Sequence, residues 1–253
     1  MNDVIKTPRL DVRVYNSRQS MGEAAAELVT EKLRVLLGEK EYVNIIFAAA
    51  PSQNEFLQLL TGKKNIDWTR VNAFHMDEYL YLSKDAAQGF GNFLKTKLFS
   101  KLPFRSVNYI NGNAENIEHE CQRYSCLLQQ YPADIVCMGI GENGHIAFND
   151  PPVANFDDMT LVKVVELEQA CRQQQVNDKC FDTLNAVPLK AITLTIPALM
   201  SAKYIFCIVP GKTKAQAIYN TLNQGIEEQY PSTIIRKHDN AILFLDKESS
   251  VLL

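Results

Sequence analysis

Short apolar runs recur along this chain, and each is followed by a stretch whose apolar residues fall at helical spacing. Leu10-Asp-Val-Arg-Val-Tyr15 alternates with period two, and Ser17 to Leu37 then carries Met21, Ala24, Ala25, Leu28, Val29, Leu33 and Leu36 on one helical stripe, with Gly38 as its stop. The alternation continues with strands over residues 42–50, 71–74, 107–110 and 135–138 and helices around 56–60, 90–102 and 117–130. Further strands are expected at 161–167, 191–195, 203–209 and 241–245, with helices after Pro197 and over 213–222. Continuous apolar strands joined by helices cannot leave a sheet face in water. With right-handed crossovers, the expected fold is α/β: a single doubly wound, mostly parallel, Rossmann-like sheet with helices on both faces. We assign residues 1–253 to one domain. Residues 152–185 are polar and poorly patterned, and are read as a lid.

Composition narrows the function. A net charge of −3 supplies no basic field for nucleic acid or anionic lipid. No apolar run has the length of a membrane helix, and Met1-Asn-Asp-Val-Ile-Lys lacks the layout of a signal peptide, so a cytoplasmic protein is expected. None of the six cysteines forms a C-x-x-C pair, and reduced, mostly buried thiols are expected. Four histidines without an H-x-x-x-H pair offer a metal little by spacing, and we expect neither a metal nor a cofactor.

Four strand-to-helix junctions carry polar chemistry. The richest is Gly139-Ile-Gly-Glu-Asn-Gly-His-Ile-Ala-Phe-Asn-Asp-Pro151, which follows the apolar run Ile135–Met138. A tight turn needs glycine, but it does not also need His145 and Asp150. The second, Ala73-Phe-His-Met-Asp-Glu-Tyr79, sets two carboxylates side by side. They suit either a base whose pKa is lifted by its neighbour or a helix start stabilised by the dipole. The third, Pro210-Gly-Lys-Thr-Lys-Ala-Gln216, places Lys212 and Lys214 at a helix start. That reads as an anion site or as a solvated basic turn; P-loop spacing is missing. The fourth, Ala48-Ala-Ala-Pro-Ser-Gln53, lets a ligand approach backbone amides, and is equally a plain helix start capped by Ser52.

Together these residues resemble the glucosamine-6-phosphate deaminase/isomerase family, whose distant relatives are the 6-phosphogluconolactonases. The resemblance spans roughly Ala48 to Ser249 in colinear order. Its specific motifs are Gly139–Pro151 and His75–Tyr79; Asn111–Ala114 and Gly211–Ala215 support it by position. The resemblance implies that Asp77 moves the proton between C2 and C1 of an open-chain sugar and that His145 assists ring opening, held by Asn143 or Asp150. It implies a phosphate site made of Ala49, Ala50, Ser52 and Lys214, with a lid cation, Arg172 or else Lys179, and counts Gly144 among the substrate-binding residues. The partner is then a small-molecule sugar phosphate, and a homo-oligomer is allowed.

Three departures stand out. Ala48-Ala49-Ala50-Pro51 replaces a turn that usually reads Gly-Gly-[Ser/Thr]-Pro, Asn143 stands where many members have Asp, and Asp150 where they have Glu. Alanine restricts the backbone more than glycine does, and Asp150, a methylene shorter, is expected to reach His145 only through loop movement or a water. The expected activity is conversion of an amino-hexose 6-phosphate to a ketose 6-phosphate and ammonium. The alternatives are a lactonase, which needs His145 but not Asp77, and a sugar-phosphate sensor without turnover.

Overall fold

Three strands, β3 (Val43–Phe47), β7 (Ile135–Met138) and β10 (Tyr204–Val209), are buried along nearly their whole length in the computed structural model, which describes residues 3–6 and 10–253. Met1 and Asn2, part of the N-terminal stretch read above, lie outside the described residues. Side chains alternate across these strands. Ile45, Phe47, Ile135, Cys137, Phe206 and Ile208 enter one core, while Ile46, Val136, Met138, Ile205, Cys207 and Val209 enter the other. Such strands need cover on both sides, which is why helices flank them.

The remaining strands are β1 (Asp3–Lys6), β2 (Asp11–Tyr15), β4 (Val71–His75), β5 (Asp77–Tyr79), β6 (Ser106–Asn108), β8 (Val162–Glu166), β9 (Lys190–Leu194) and β11 (Ala241–Asp246). The main sheet has the order β1-β2-β11-β10-β7-β3-β4-β6, with every pair parallel except β1 with β2. One core is closed by α1 (Arg18–Glu39), α2 (Asn54–Thr61) and α3 (Phe90–Leu94), the last continued by a π turn over Lys95–Phe99. The other is closed by α4 (Ile117–Gln130), α6 (Ile196–Met200) and α7 (Ala215–Asn223). From β3 the chain steps outward to β4 and β6, whereas beyond β7 it builds outward through β10 and β11. The reversal lies between β3 and β7, where open α/β sheets place their ligands.

The fold class is as expected, with two local differences. Gly38 does not stop α1; the helix runs through Glu39, and extended Lys40 caps it by donating its N–H to Leu36 O. A small second sheet, in the antiparallel order β5-β9-β8, stands beside the main one. It takes in part of the segment read as a lid, because β8 pairs with β9 over five residues. What reaches over the strand ends is α5 (Gln169–Asn177) and the turn after it. Three of the six cysteines are buried and none is disulfide-bonded. Among the described residues, no helix is long and apolar enough to cross a membrane.

His75, at the end of β4, braces the edge that carries Asp77. Its Nδ1–H donates to Asp77 O at 2.9 Å, and its Nε2 accepts from Ile110 N at 2.9 Å, which fixes a neutral tautomer. The Tyr124 hydroxyl donates to His75 O at 2.9 Å and accepts from His75 N at 3.1 Å. Burial pushes the imidazole down to about 4, opposed in part by its bond to the Asp77 carbonyl and by the charge of Glu120. The unfolded chain thus takes up a proton near pH 6.5 that the folded chain refuses until about pH 4. This group makes stability fall as pH drops through that window, by about 3 kcal/mol in all. Urea unfolding between pH 7 and pH 4, roughly spanning that window, should show this slope in the wild type and a shallower one in His75→Asn.

Candidate active site

Parallel register sends the ends of β3, β4, β7 and β10 to one rim, and a cavity of about 390 Å³ opens there. Its walls are Ala48–Ser52, Met76 and Asp77, Gly139–Gly141 with His145, and Pro210–Lys214. The size suits a small polar ligand. All four junctions picked out in the sequence therefore meet at one place.

Asp77 sits in β5, a strand that begins one residue after β4 ends. It is 6% exposed, and its Oδ1 has no hydrogen-bond partner. Burial raises its pKa well above the ordinary carboxylate value, and the neighbouring charge of Glu78 raises it further. The two acids divide their work. Glu78 accepts from Tyr79 N at 2.9 Å, Phe90 N at 3.0 Å and Gly91 N at 2.8 Å, which ties β5 to the start of α3. Asp77 alone faces the cavity.

His145 lies flat over Gly141, where any side-chain carbon would overlap the imidazole ring. Its Nδ1–H is shared between Asn143 Oδ1 at 2.7 Å and Asp150 Oδ1 at 3.0 Å. Asn143 also accepts from His145 N at 3.1 Å, and it donates Nδ2 to Asp150 at 2.9 Å and to Glu168 Oε2 at 3.1 Å. With the proton on Nδ1, Nε2 carries a free lone pair. The short Asp150 side chain reaches the ring directly, with neither loop movement nor water. A tight turn makes this possible: Ile146 bridges Asn149, Ala147 takes φ +50°, and Asn149 Nδ2 ties the turn to Leu194 O at 2.8 Å. Burial works against the Asp150 charge, but the pull of His145, exerted when its ring is protonated, and hydrogen bonds from His145 and Asn143 hold its pKa below the usual value.

Basic side chains also line the cavity. Lys214 is 6% exposed; burial lowers its pKa, while Asp178 and Glu142 oppose that. Lys212 and Arg18 line the same cavity, together with the carboxylates of Asp178 and Glu248. Arg18 donates to Pro51 O at 3.2 Å and pairs with Glu55 at 3.1 Å, so the start of α1 is locked to the turn after β3. That turn tolerates its alanines: none of Ala48, Ala49 and Ala50 has a positive φ, and the Ala50 backbone is extended. The Ala49 and Ala50 N–H groups donate to no backbone carbonyl among the described residues. Ser52 lies beside them, close to Gln53, whose Nε2 donates to Ile208 O at 3.1 Å.

Two expected contacts fail. Arg172 does not line the cavity; its guanidinium donates to Leu184 O at 2.6 Å and Val187 O at 3.0 Å, pinning the segment after α5. Lys179 comes nearer, in an adjoining recess that it shares with Ala49, Ala50 and Pro51. Gly144 is not in the wall either. It takes φ +88°, donates to Gly141 O and accepts from Ser232 N, so it shapes the turn. Asn143 and Asp150 stand outside the wall, in contact with the His145 ring. Arg18, Gln174, Gln175 and Asp178 line the cavity without having been expected. Arg18 belongs to no motif, and α5 lacks the apolar periodicity that would have placed its inner face.

Comparison with known proteins agrees with this geometry. A family described as glucosamine-6-phosphate isomerases/6-phosphogluconolactonase matches residues 16–244, a span that begins well before Ala48 and includes α1. The chain is 32% identical to a glucosamine-6-phosphate deaminase of Streptococcus suis, over 95% of this chain and 98% of that one. It is 34% identical to one of Streptococcus sanguinis, over 92% and 94%. A solved structure of a monomeric glucosamine-6-phosphate deaminase superposes with a TM-score of 0.87 at 27% identity, covering 96% of this chain and 99% of the other. The 6-phosphogluconolactonase of Thermotoga maritima, at 21% identity, shares the fold with a TM-score of 0.77 over 94% of this chain and 100% of its own. The chain belongs to the glucosamine-6-phosphate isomerase/6-phosphogluconolactonase family.

Proposed function

We propose that this protein converts an amino-hexose 6-phosphate and water to a ketose 6-phosphate and ammonium. The observation that carries the reading is a buried carboxyl, Asp77, sharing one sugar-sized cavity with the free Nε2 of His145 and the buried ammonium of Lys214.

The phosphate binds to Lys214 and Arg18, with N–H groups of Ala49 and Ala50 and the Ser52 hydroxyl as further donors. Anchoring there holds the sugar carbons within reach of Asp77. His145 Nε2 relays the proton that ring oxygen O5 gains as the ring opens, and Asn143 and Asp150 keep the ring oriented. Asp77 then takes the C2 proton. The enolamine is reprotonated at C1, and water hydrolyses the resulting C2 iminium, releasing ammonium. A carboxyl with a raised pKa is a stronger base once ionised, and the cationic amine of the substrate favours its ionised form. The residues between β8 and β9, with α5 facing the cavity, serve as a lid that excludes water. Every group named comes from one chain, so a single copy suffices. The six unbonded thiols fit a cytoplasmic setting.

Two assays test this. Asp77→Asn should lower ammonium release from glucosamine 6-phosphate by about 10²–10⁴-fold. Undiminished release would reject the isomerase mechanism, and lactone hydrolysis untouched by the substitution would favour the lactonase reading. The second concerns Asp178, which faces Lys214 and competes with an incoming phosphate. Asp178→Asn should lower KM several-fold at neutral pH with little change in kcat, on the order of 1 kcal/mol for one like charge removed.

A further inference from the structure

His145, Asp150 and Cys171 come from distant parts of the chain, yet their ligand atoms all lie within 4.8 Å of one another, and all three residues are buried. The first two belong to the turn after β7, and the third to α5. We propose that these three side chains form a capture site for a borderline-soft divalent ion, Zn²⁺ before others, and that occupancy shuts the active site. The shut-down, though not the capture itself, rests on the function proposed above.

The donor set is nitrogen, oxygen and sulfur, which zinc accepts in sites with three protein ligands and one water. Bonds of about 2.0–2.3 Å set tetrahedral edges of roughly 3.3–3.7 Å. The His145 Nδ1 to Asp150 Oδ1 edge is already 3.0 Å. A second observation points to a missing partner. Asp150 is 1% exposed; its Oδ1 is held by His145 and Asn143, but its Oδ2 has no hydrogen-bond partner among the described residues, and the Cys171 thiol, a weak donor, lies near the carboxylate. A dication there would satisfy that oxygen. The charges balance, with one carboxylate, one thiolate and a neutral imidazole. On binding, the thiol releases its proton to solvent, and the imidazole moves its proton from Nδ1 to Nε2 without net change. The Nε2 lone pair that faces the sugar is then gone. Cys171 would also tether α5 to the turn carrying His145. Hard, oxygen-seeking Mg²⁺ has no reason to choose this set.

Cobalt tests the site by itself. Metal-free wild-type protein titrated with Co²⁺ should develop a thiolate-to-cobalt charge-transfer band that Zn²⁺ bleaches, and that is missing in both Cys171→Ala and Cys171→Ser. Ammonium release by the wild type should be inhibited by Zn²⁺, restored by chelator and indifferent to Mg²⁺. Judged against its own uninhibited rate, each cysteine variant should need at least about tenfold more Zn²⁺ than the wild type for the same fractional inhibition. Absence of the band in the wild type overturns the proposal, as does equal Zn²⁺ sensitivity of wild type and variants. If the wild type releases no ammonium, the functional reading fails, and the cobalt band still decides the metal site.

Discussion

Parallel pairing of β3, β7 and β10 is the constraint from which the rest of the molecule follows. It makes three buried strands end at one level, so that three loops far apart in sequence share a rim. Ala48 N donates to Cys137 O at 2.8 Å just where the strands part, so the opening between β3 and β7 starts at a fixed point. The antiparallel β5 adds the fourth wall. It leaves β4 after a single residue, and Leu194 N, donating to Met76 O at 2.8 Å, holds the corner that carries Asp77.

Two buried charged groups, one acidic and one basic, line the cavity. Burial favours the neutral forms of both Asp77 and Lys214, so the site is primed for a ligand that restores charge to each. A molecule with an anion at one end and an amine at the other would do so. Asp150 stands apart. It is equally buried, yet it keeps its charge because His145 and Asn143 converge on it. Two aspartates in one site are thereby set to opposite protonation tendencies, a division suited to a scheme with one base and one oriented imidazole.

The sheet was legible because its central strands are short, apolar and β-branched, and because glycine-rich or polar junctions follow them. Ile135–Met138 and Ile117–Gln130 fall where periodicity puts them. The Gly38 stop failed because glycine ends a helix only where a left-handed turn is needed, and here the chain leaves extended at Lys40. Charged, three-residue β5 shows no alternation, and only its pairing with β9 makes it a strand. The cavity wall was legible wherever chemistry and turn coincided, at Asp77, His145 and Lys214. Arg172 misled because a cation in a polar segment looks free until Leu184 O and Val187 O are seen to claim it. The cluster of His145, Asp150 and Cys171 had no spacing signature, since α5 folds back over the turn only in three dimensions.

In the proposed reaction, Asp77 removes the hydrogen at C2 of a bound sugar phosphate. Exchange of that hydrogen with solvent, followed by NMR on glucosamine 6-phosphate in D₂O, measures the step without waiting for ammonium to leave. Enzyme-dependent loss of the C2 proton signal is expected, abolished in Asp77→Asn. Exchange that proceeds equally well without the Asp77 carboxylate would contradict it.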